Sequence, residues 1–237
     1  MSGIQMIALV HAGAGTIALA SFWLAAALRK GSPRHRLAGR AYLLSMATVI
    51  ASGVPLVLES WFDGHPVTAT FLGYLLVIVT TSVWLSWRAV RDRQQPQRYL
   101  GAAYRVLAWA NPVAGAVVLA LGLVHGVPLL VGFSMIGLLT GVDMHRRRRL
   151  IAGRQRWWLE EHYRAMTANG AATHIAFFLL GLPRLLPGVG EGALAYVGWF
   201  APVVLAVAVR FWLDRRYGQG AAPSAAPAPA AGRRVRA

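Results

Sequence analysis

The chain has 237 residues, of which 57% are hydrophobic and only 14% are charged, and its formal net charge at pH 7 is +16. About a quarter of the residues in an ordinary soluble domain are charged, so this composition excludes that class and indicates a polytopic membrane protein. The chain contains no cysteine, which excludes disulfides, thiolate zinc sites, Cys-ligated iron–sulfur clusters and c-type haem attachment. The arginines lie at the ends of apolar runs, so the net charge does not indicate a nucleic-acid partner.

Several apolar segments are long enough to cross a bilayer, which takes roughly 20 helical residues. The fourth segment contains Asn111 and Pro112, and a proline inside a helix predicts a kink there. Residues 218–237 are rich in Ala and Pro and are predicted to form a disordered, basic tail. The sequence thus predicts an all-α bundle of about seven transmembrane helices within residues 1–217, at 4–28, 37–58, 67–87, 100–124, 127–142, 157–183 and 193–213.

The distribution of basic residues predicts how the bundle is oriented. If the N-terminus is outside, every Lys and Arg except Arg184 falls at or near the cytoplasmic face, as the positive-inside rule requires. We therefore expect an N-out, C-in protein of a bacterial inner (cytoplasmic) membrane, with its basic loops and tail in contact with anionic lipid. Abundant small residues would permit a homo-oligomer but do not specify one.

Four histidines fall within or at the ends of the predicted spans. The rise per residue places His11 and His174 in one layer, roughly 6–8 Å outside the midplane, and places His35 with His162 at the cytoplasmic boundary. Two imidazoles on facing helices are what a membrane b-type haem requires. The sequence therefore predicts haem b, with His11 and His174 as the best axial or metal-binding pair and with His35 and His162 as a second pair. An ideal helix turns His162 and His174 about 120° apart, which weakens a two-haem arrangement.

Charged residues also gather at the predicted cytoplasmic boundary. Arg–carboxylate pairs at this depth would tie the helices together. The alternative is a cofactor- or anion-binding site, for haem propionates or for a lipid or metabolite headgroup, held by Arg40 and Arg105. The residues concerned are Arg40, Arg105, Asp143, Glu160, Glu161 and Arg164.

Two segments resemble the bacterial membrane proteins of domain-of-unknown-function family 2306. They are HAGAGTIALASFWLAAALRKGSPRHRLAGRAYLLSM, residues 11–46, and EHYRAMTANGAATHIAFFLLGLPRLLP, residues 161–187. The resemblance implies a multi-helix integral membrane protein and implies no catalytic residue. The matching positions are His11, Gly15, Ala18, Leu19, Lys30, Gly31, His35, Arg36, Gly39, Arg40, Tyr42, Met46, His162, Met166, His174 and Pro183.

These observations favour an integral membrane protein that transfers electrons through haem b and needs a redox partner. Two alternatives stay open. The first is a small-solute or proton-coupled transporter that uses Asn111 in a broken fourth helix and Asp143. The second is a structural or accessory subunit whose histidines only form interhelical hydrogen bonds. The sequence has no nucleophile–base motif, HExxH motif or phosphate-binding glycine loop, so it identifies no catalytic residue and leaves open whether the chain is an enzyme.

Overall fold

The computed structural model describes residues 2–186 and 193–218. The described residues contain helices and no β-strand, and seven of the helical segments are long and apolar enough to cross a membrane. The predicted all-α polytopic bundle is therefore confirmed. The helices are α1 (Gly3–Ala27), α2 (Pro33–Phe62), α3 (Pro66–Arg91), α4 (Pro96–Tyr99), α5 (Ala102–Val124), α6 (Pro128–Ile151), α7 (Trp157–Ala176), α8 (Leu182–Leu185) and α9 (Ala193–Tyr217), with a π-helical turn, Phe177–Gly181, between α7 and α8.

The main error in the predicted spans concerns the fifth, which was expected to end at residue 142. In the structure, α6 continues to Ile151. The arginine run that follows Asp143 extends the helix instead of ending it, because arginine is a good helix former. The predicted tail lies outside the described residues except for Gly218, and the N-out orientation stays a prediction.

Helix starts and tight connections follow from proline and glycine. Four helices begin with a proline, whose missing N–H would have no partner in the first turn: Pro33, Pro66, Pro96 and Pro128. Three connections turn at glycines with positive φ angles, a conformation that L-residues with a Cβ rarely adopt: Gly31, Gly64 and Gly126. These turns fold α1 onto α2, α2 onto α3 and α5 onto α6 as antiparallel neighbours.

The helices are arranged around α3 and α7, which pack against each other. The α1–α2 hairpin lies against one side of this pair and the α5–α6 hairpin against α3, while α9 packs against α7. We call the end of the bundle that carries Lys30, Tyr99, Arg147 and Trp157 the arginine-rich end. It contains the last turns of α1, α3, α6 and α9 and the first turns of α2, α5 and α7.

The α5 helix continues through Pro112 from Ala102 to Val124, so the break predicted there is not present. The proline ring packs against Gly141 of α6, where an added Cβ would lie 2.6 Å from the ring. In the span that begins with α7, the backbone departs from α-helical geometry instead at the π-helical turn Phe177–Gly181.

Candidate functional sites

His11 joins α1 to α2. Its Nδ1 lies 3.0 Å from the hydroxyl oxygen of Ser52, and that hydroxyl donates its proton to the carbonyl oxygen of Thr48 at 2.6 Å. Because a serine hydroxyl has one proton, the Nδ1–H of His11 must be the donor to Ser52. His11 therefore acts in the structure as an interhelical hydrogen-bonding group.

His174 uses both of its ring nitrogens. The indole N–H of Trp23 donates to Nε2 at 3.0 Å, so Nδ1 carries the proton and donates to the carbonyl oxygen of Gly170 at 2.7 Å. Trp23 lies twelve residues after His11 on α1, about 18 Å of helical rise. His174 therefore contacts α1 well away from the position of His11, which itself contacts α2. These contacts do not place the two histidines as the facing pair that was predicted.

His35 and His162 both lie at the arginine-rich end, near the starts of α2 and α7. The Nδ1–H of His35 donates to the carbonyl oxygen of Ala25 on α1 at 3.0 Å, and the Nδ1–H of His162 donates to that of Ser86 on α3 at 3.1 Å. In the neutral imidazoles, Nε2 then carries a lone pair that can accept a proton or bind a metal.

Arg40 and Arg105, the two arginines of the predicted anion site, are on different helices. Both side chains are exposed, but Arg40 is on α2 and Arg105 is on α5, and α3 packs between these two helices. Arg105 instead lines a small cleft with Arg148 of α6. An anion site held by both arginines therefore stays a prediction, and each arginine is accessible to an anion.

A buried ion-pair network joins α6 to α7 at the arginine-rich end. The guanidinium of Arg147 bonds Glu161 through Nε and Glu160 through Nη1, the latter at 2.9 Å. Glu160 also pairs with Arg154 at 2.7 Å and with Arg164 at 3.1 Å. Arg147, Glu160 and Glu161 are all buried. Each buried charge therefore has an opposite charge within bonding distance, as desolvation requires.

The network continues to α9 through Arg164. This guanidinium pairs with Asp214 at 2.8 Å, and Asp214 also accepts a hydrogen bond from the Tyr163 hydroxyl at 2.7 Å. Asp143 pairs with Arg164 at 3.7 Å and with Arg210 at 3.2 Å. Of the residues predicted to form Arg–carboxylate pairs, Arg164 pairs with Glu160 and Asp143, whereas Glu161 pairs with Arg147, which was not predicted. Among the described residues, neither Arg40 nor Arg105 forms an ion pair. Sequence reasoning missed the other four members of the network, Arg147, Arg154, Arg210 and Asp214.

Tyr99, in the short helix α4, completes the coordination of Glu161. Its hydroxyl donates to the Glu161 carboxylate at 2.7 Å, and its ring packs on Trp157 with centroids 4.8 Å apart. Burial and the neighbouring Glu161 carboxylate raise the pKa of the Tyr99 phenol well above its usual value of 10.0. No sequence signal identified Tyr99, because α4 follows a polar loop and is too short to show a periodicity.

A second polar layer lies deeper, where α3 meets α5 and α7. The Asn111 amide nitrogen donates to the Thr81 hydroxyl at 2.7 Å, and the Ser82 hydroxyl donates to the Asn169 amide oxygen at 2.6 Å. Both asparagines are fully buried. Within the part of the chain that the structure describes, the Asn111 Oδ1 and Asn169 Nδ2 atoms have no hydrogen-bond partner. Unpartnered polar atoms in a bundle core are costly, and they are positions where a water or a polar solute can form a hydrogen bond.

In residues 2–186 and 193–218, no group of three or more His, Asp or Glu side chains is arranged to hold a metal ion. Comparison of the chain with protein-family models, curated proteins and solved structures found no match. The likeness to domain-of-unknown-function family 2306 stays a prediction that rests on the two quoted segments.

Proposed function

We propose that this chain transfers electrons through one haem b held by His35 and His162. Its seven apolar helices make it an integral membrane protein. The observation that carries the proposal is that each of these two imidazoles, one on α2 and one on α7 at the same end of the bundle, has its Nδ1–H on a main-chain carbonyl of a neighbouring helix.

The hydrogen bonds of the two rings suit axial ligation. A metal-binding histidine usually donates its second ring N–H to a carbonyl or carboxylate, which fixes both the tautomer and the orientation of the ring. His35 and His162 each have this bond on Nδ1, so Nε2 is the atom left for iron. In His174, by contrast, Nε2 is occupied by the Trp23 indole.

The packing around the pair also suits a flat macrocycle. One helical turn further into the bundle, Ala38 and Ala165 lie on the same helix faces as His35 and His162, and both alanines are buried. Further along α2, the side chain of Tyr42 reaches α7, where its hydroxyl lies 3.0 Å from the Thr173 hydroxyl. Small side chains beside both histidines are what the edge of a flat macrocycle would require.

Charge at this end of the bundle is favourable for the haem carboxylates. Arg40 is exposed one to two turns after His35, and an arginine fork pairs with a carboxylate through two hydrogen bonds. We infer that Arg40 pairs with a propionate. A bound haem would supply the one-electron chemistry, and His35 and His162 would hold it through their Nε2 atoms.

An absorption difference spectrum, dithionite-reduced minus oxidised, of the detergent-purified protein tests the proposal, with iron measured on the same sample. We expect a sharp reduced α-band of the b type and iron in proportion to protein. His35→Ala and His162→Ala should abolish the band, whereas the matched variants His11→Ala and His174→Ala should keep it. A colourless, iron-free protein from haem-replete cells would refute haem binding, and a band that survives both inner substitutions would refute this ligand pair.

The polar layer supports a second candidate, proton-coupled transport. The Asn111 amide oxygen is fully buried and unpartnered within the described residues, and it can accept a proton-carrying water or a solute hydroxyl. Proton entry into sealed vesicles, followed with an internal pH-sensitive dye under an imposed pH gradient, tests this candidate. Asn111→Leu and Asp143→Asn should abolish proton entry, and the exposed Thr68→Ala should not. Equal entry with all three variants would exclude Asn111 and Asp143 from such a path.

A further inference from the structure

The surface between α5 and α6 carries a cleft that none of the roles above uses. We call it the Arg105–Arg148 cleft. Its volume is about 60 Å³, enough for a few water-sized groups and so on the scale of one phosphate with its oxygens. It is lined by Tyr104, Arg105, Ala108, Trp109, His145 and Arg148.

The charges in this cleft are unbalanced. Arg105 and Arg148 both line it, and none of its lining residues is an Asp or Glu. Among the described residues, neither arginine forms an ion pair, in contrast to Arg147 next to Arg148, which is buried in the ion-pair network. Two guanidinium groups in one small cleft without a carboxylate repel each other, so an anion between them would be favourable.

The residues one turn nearer the bundle centre are aromatic and held in place. The Trp109 and His145 rings pack edge to face with centroids 4.9 Å apart, and the Nδ1–H of His145 donates to the Gly141 carbonyl oxygen at 2.8 Å. The Tyr104 hydroxyl bonds the α6 backbone at 2.8 Å. Trp109 is 64% exposed, and an exposed tryptophan beside arginines is typical of the membrane–water interface.

Beyond Trp109 the exposed surface of the hairpin becomes apolar. Exposed aliphatic side chains continue along both helices away from the arginine-rich end, namely Val113 and Val117 on α5 and Met135, Leu139 and Val142 on α6. The order along the surface is therefore charged, aromatic and then aliphatic. This is the order of phosphate, glycerol region and acyl chains in a phospholipid leaflet.

We propose that the Arg105–Arg148 cleft binds the phosphate of an anionic phospholipid, whose acyl chains lie along the exposed apolar face of α5 and α6. Soluble phosphate would satisfy the two arginines but would leave the apolar face and Trp109 unused, so the lipid is the ligand that the whole surface fits. The site retains for Arg105 the anion-binding role expected from the sequence and replaces Arg40 by Arg148 as its partner.

Native mass spectrometry of the full chain in micelles containing phosphatidylglycerol tests this site. We expect Arg105→Gln combined with Arg148→Gln to reduce phosphatidylglycerol retention roughly tenfold, since each arginine near a membrane surface contributes appreciably to anionic-lipid binding. The matched control removes the same charge from the start of α2, with the exposed Arg34 and Arg36 both changed to Gln, and should retain the lipid. Equal retention by both double variants, or equal loss from both, would overturn the proposal.

Two further measurements separate the lipid from other ligands. Phosphatidylcholine should be retained less than phosphatidylglycerol, and soluble glycerol phosphate should not displace the lipid; displacement by glycerol phosphate would identify a soluble anion as the ligand. Brominated phosphatidylglycerol should quench tryptophan fluorescence more than brominated phosphatidylcholine, and Trp109→Phe should remove that difference. A difference that persists in Trp109→Phe would place the lipid elsewhere.

Discussion

The α6 helix has two interfaces of opposite chemistry. Towards α5 it packs through glycines, and an added Cβ on Gly115 would lie 2.9 Å from the Ser134 carbonyl oxygen while one on Gly137 would lie 2.7 Å from that of Asn111. Towards α7 and α9 it is joined by charged side chains, with Arg147 and Asp143 paired to residues of those helices. Apolar surface gains nothing by leaving lipid, so helices in a membrane associate through close packing or polar bonds, and this protein uses one on each side of α6.

The charged interface should contribute more to stability than the glycine interface, because its buried charges need their partners. Loss of its central cation, Arg147, should therefore lower the free energy of unfolding most. Arg147→Met leaves Glu161 with Tyr99 as its remaining partner and should lower the free energy of unfolding by about 3–5 kcal/mol, the cost of leaving a buried charge unpaired. Denaturant titration in micelles measures this loss. The neighbouring exposed Arg146→Met is the control and should change little.

A companion variant separates charge from packing. If the unpaired carboxylate causes the loss, adding Glu161→Gln to Arg147→Met should recover part of it, because the buried charge is removed. A double variant that is no more stable than Arg147→Met would show that packing of the arginine stem matters more than its charge.

The glycine interface should respond next most strongly. Gly115→Ala places a Cβ against backbone atoms of α6, 2.9 Å from the Ser134 oxygen and 3.1 Å from the Leu138 nitrogen, so the helices must separate. We expect a loss of about 1–3 kcal/mol, read from the same titration. Gly13→Ala in α1 meets no atom within 4 Å and should be neutral or stabilising, since alanine favours helix. Equal effects at both glycines would mean that helix propensity alone decides the result.

Tyr99→Phe tests the hydrogen bond that α4 supplies to Glu161 of the charged interface. Removing the hydroxyl that bonds Glu161 should cost about 1–2 kcal/mol at neutral pH. Because the pKa of Tyr99 is raised on folding, its contribution is complete below about pH 10, the pKa of an unfolded tyrosine, and is lost as the pH rises above that value. The stability difference between the wild type and Tyr99→Phe should therefore shrink above about pH 10. The exposed Tyr196→Phe should show no such change, and a pH-independent difference for Tyr99 would contradict this account.

The smallest effect is expected at a single neutral bond remote from both interfaces. Trp23→Phe keeps an aromatic ring but removes the N–H that bonds His174, and interhelical bonds of this kind average about 0.6 kcal/mol in membrane proteins. The exposed Trp61→Phe is the matched control. A loss above about 2 kcal/mol, larger than such bonds reach, would mean that Trp23 stabilises the packing of α1 against α7 by more than this one hydrogen bond.

The number and order of the membrane helices were predictable because each span is a long apolar run. The end of α6 was not, since four consecutive arginines give the same signal in a loop and on a helix. Only the helical rotation turns Arg147 towards Glu160 and Glu161 while Arg146, Arg148 and Arg149 stay exposed.

The pairing of the histidines shows a second limit of the sequence. Depth follows from counting residues, but the lateral arrangement of helices does not. Counting placed His11 with His174, whereas in the structure their partners are Ser52 and Trp23. His35 and His162 lie near the starts of α2 and α7, and the ends of two helices constrain depth more tightly than the middle of a long span does.

The ion-pair network also bears on how the protein is assembled during synthesis. Asp214 and Arg210 are on α9, which leaves the ribosome after the other described helices, and they supply partners for Arg164, Tyr163 and Asp143. A nascent chain that has inserted only the first six spans therefore exposes these groups at the membrane surface. We expect a chain truncated before α9 to keep these groups exposed and to be recognised and degraded by membrane quality-control proteases.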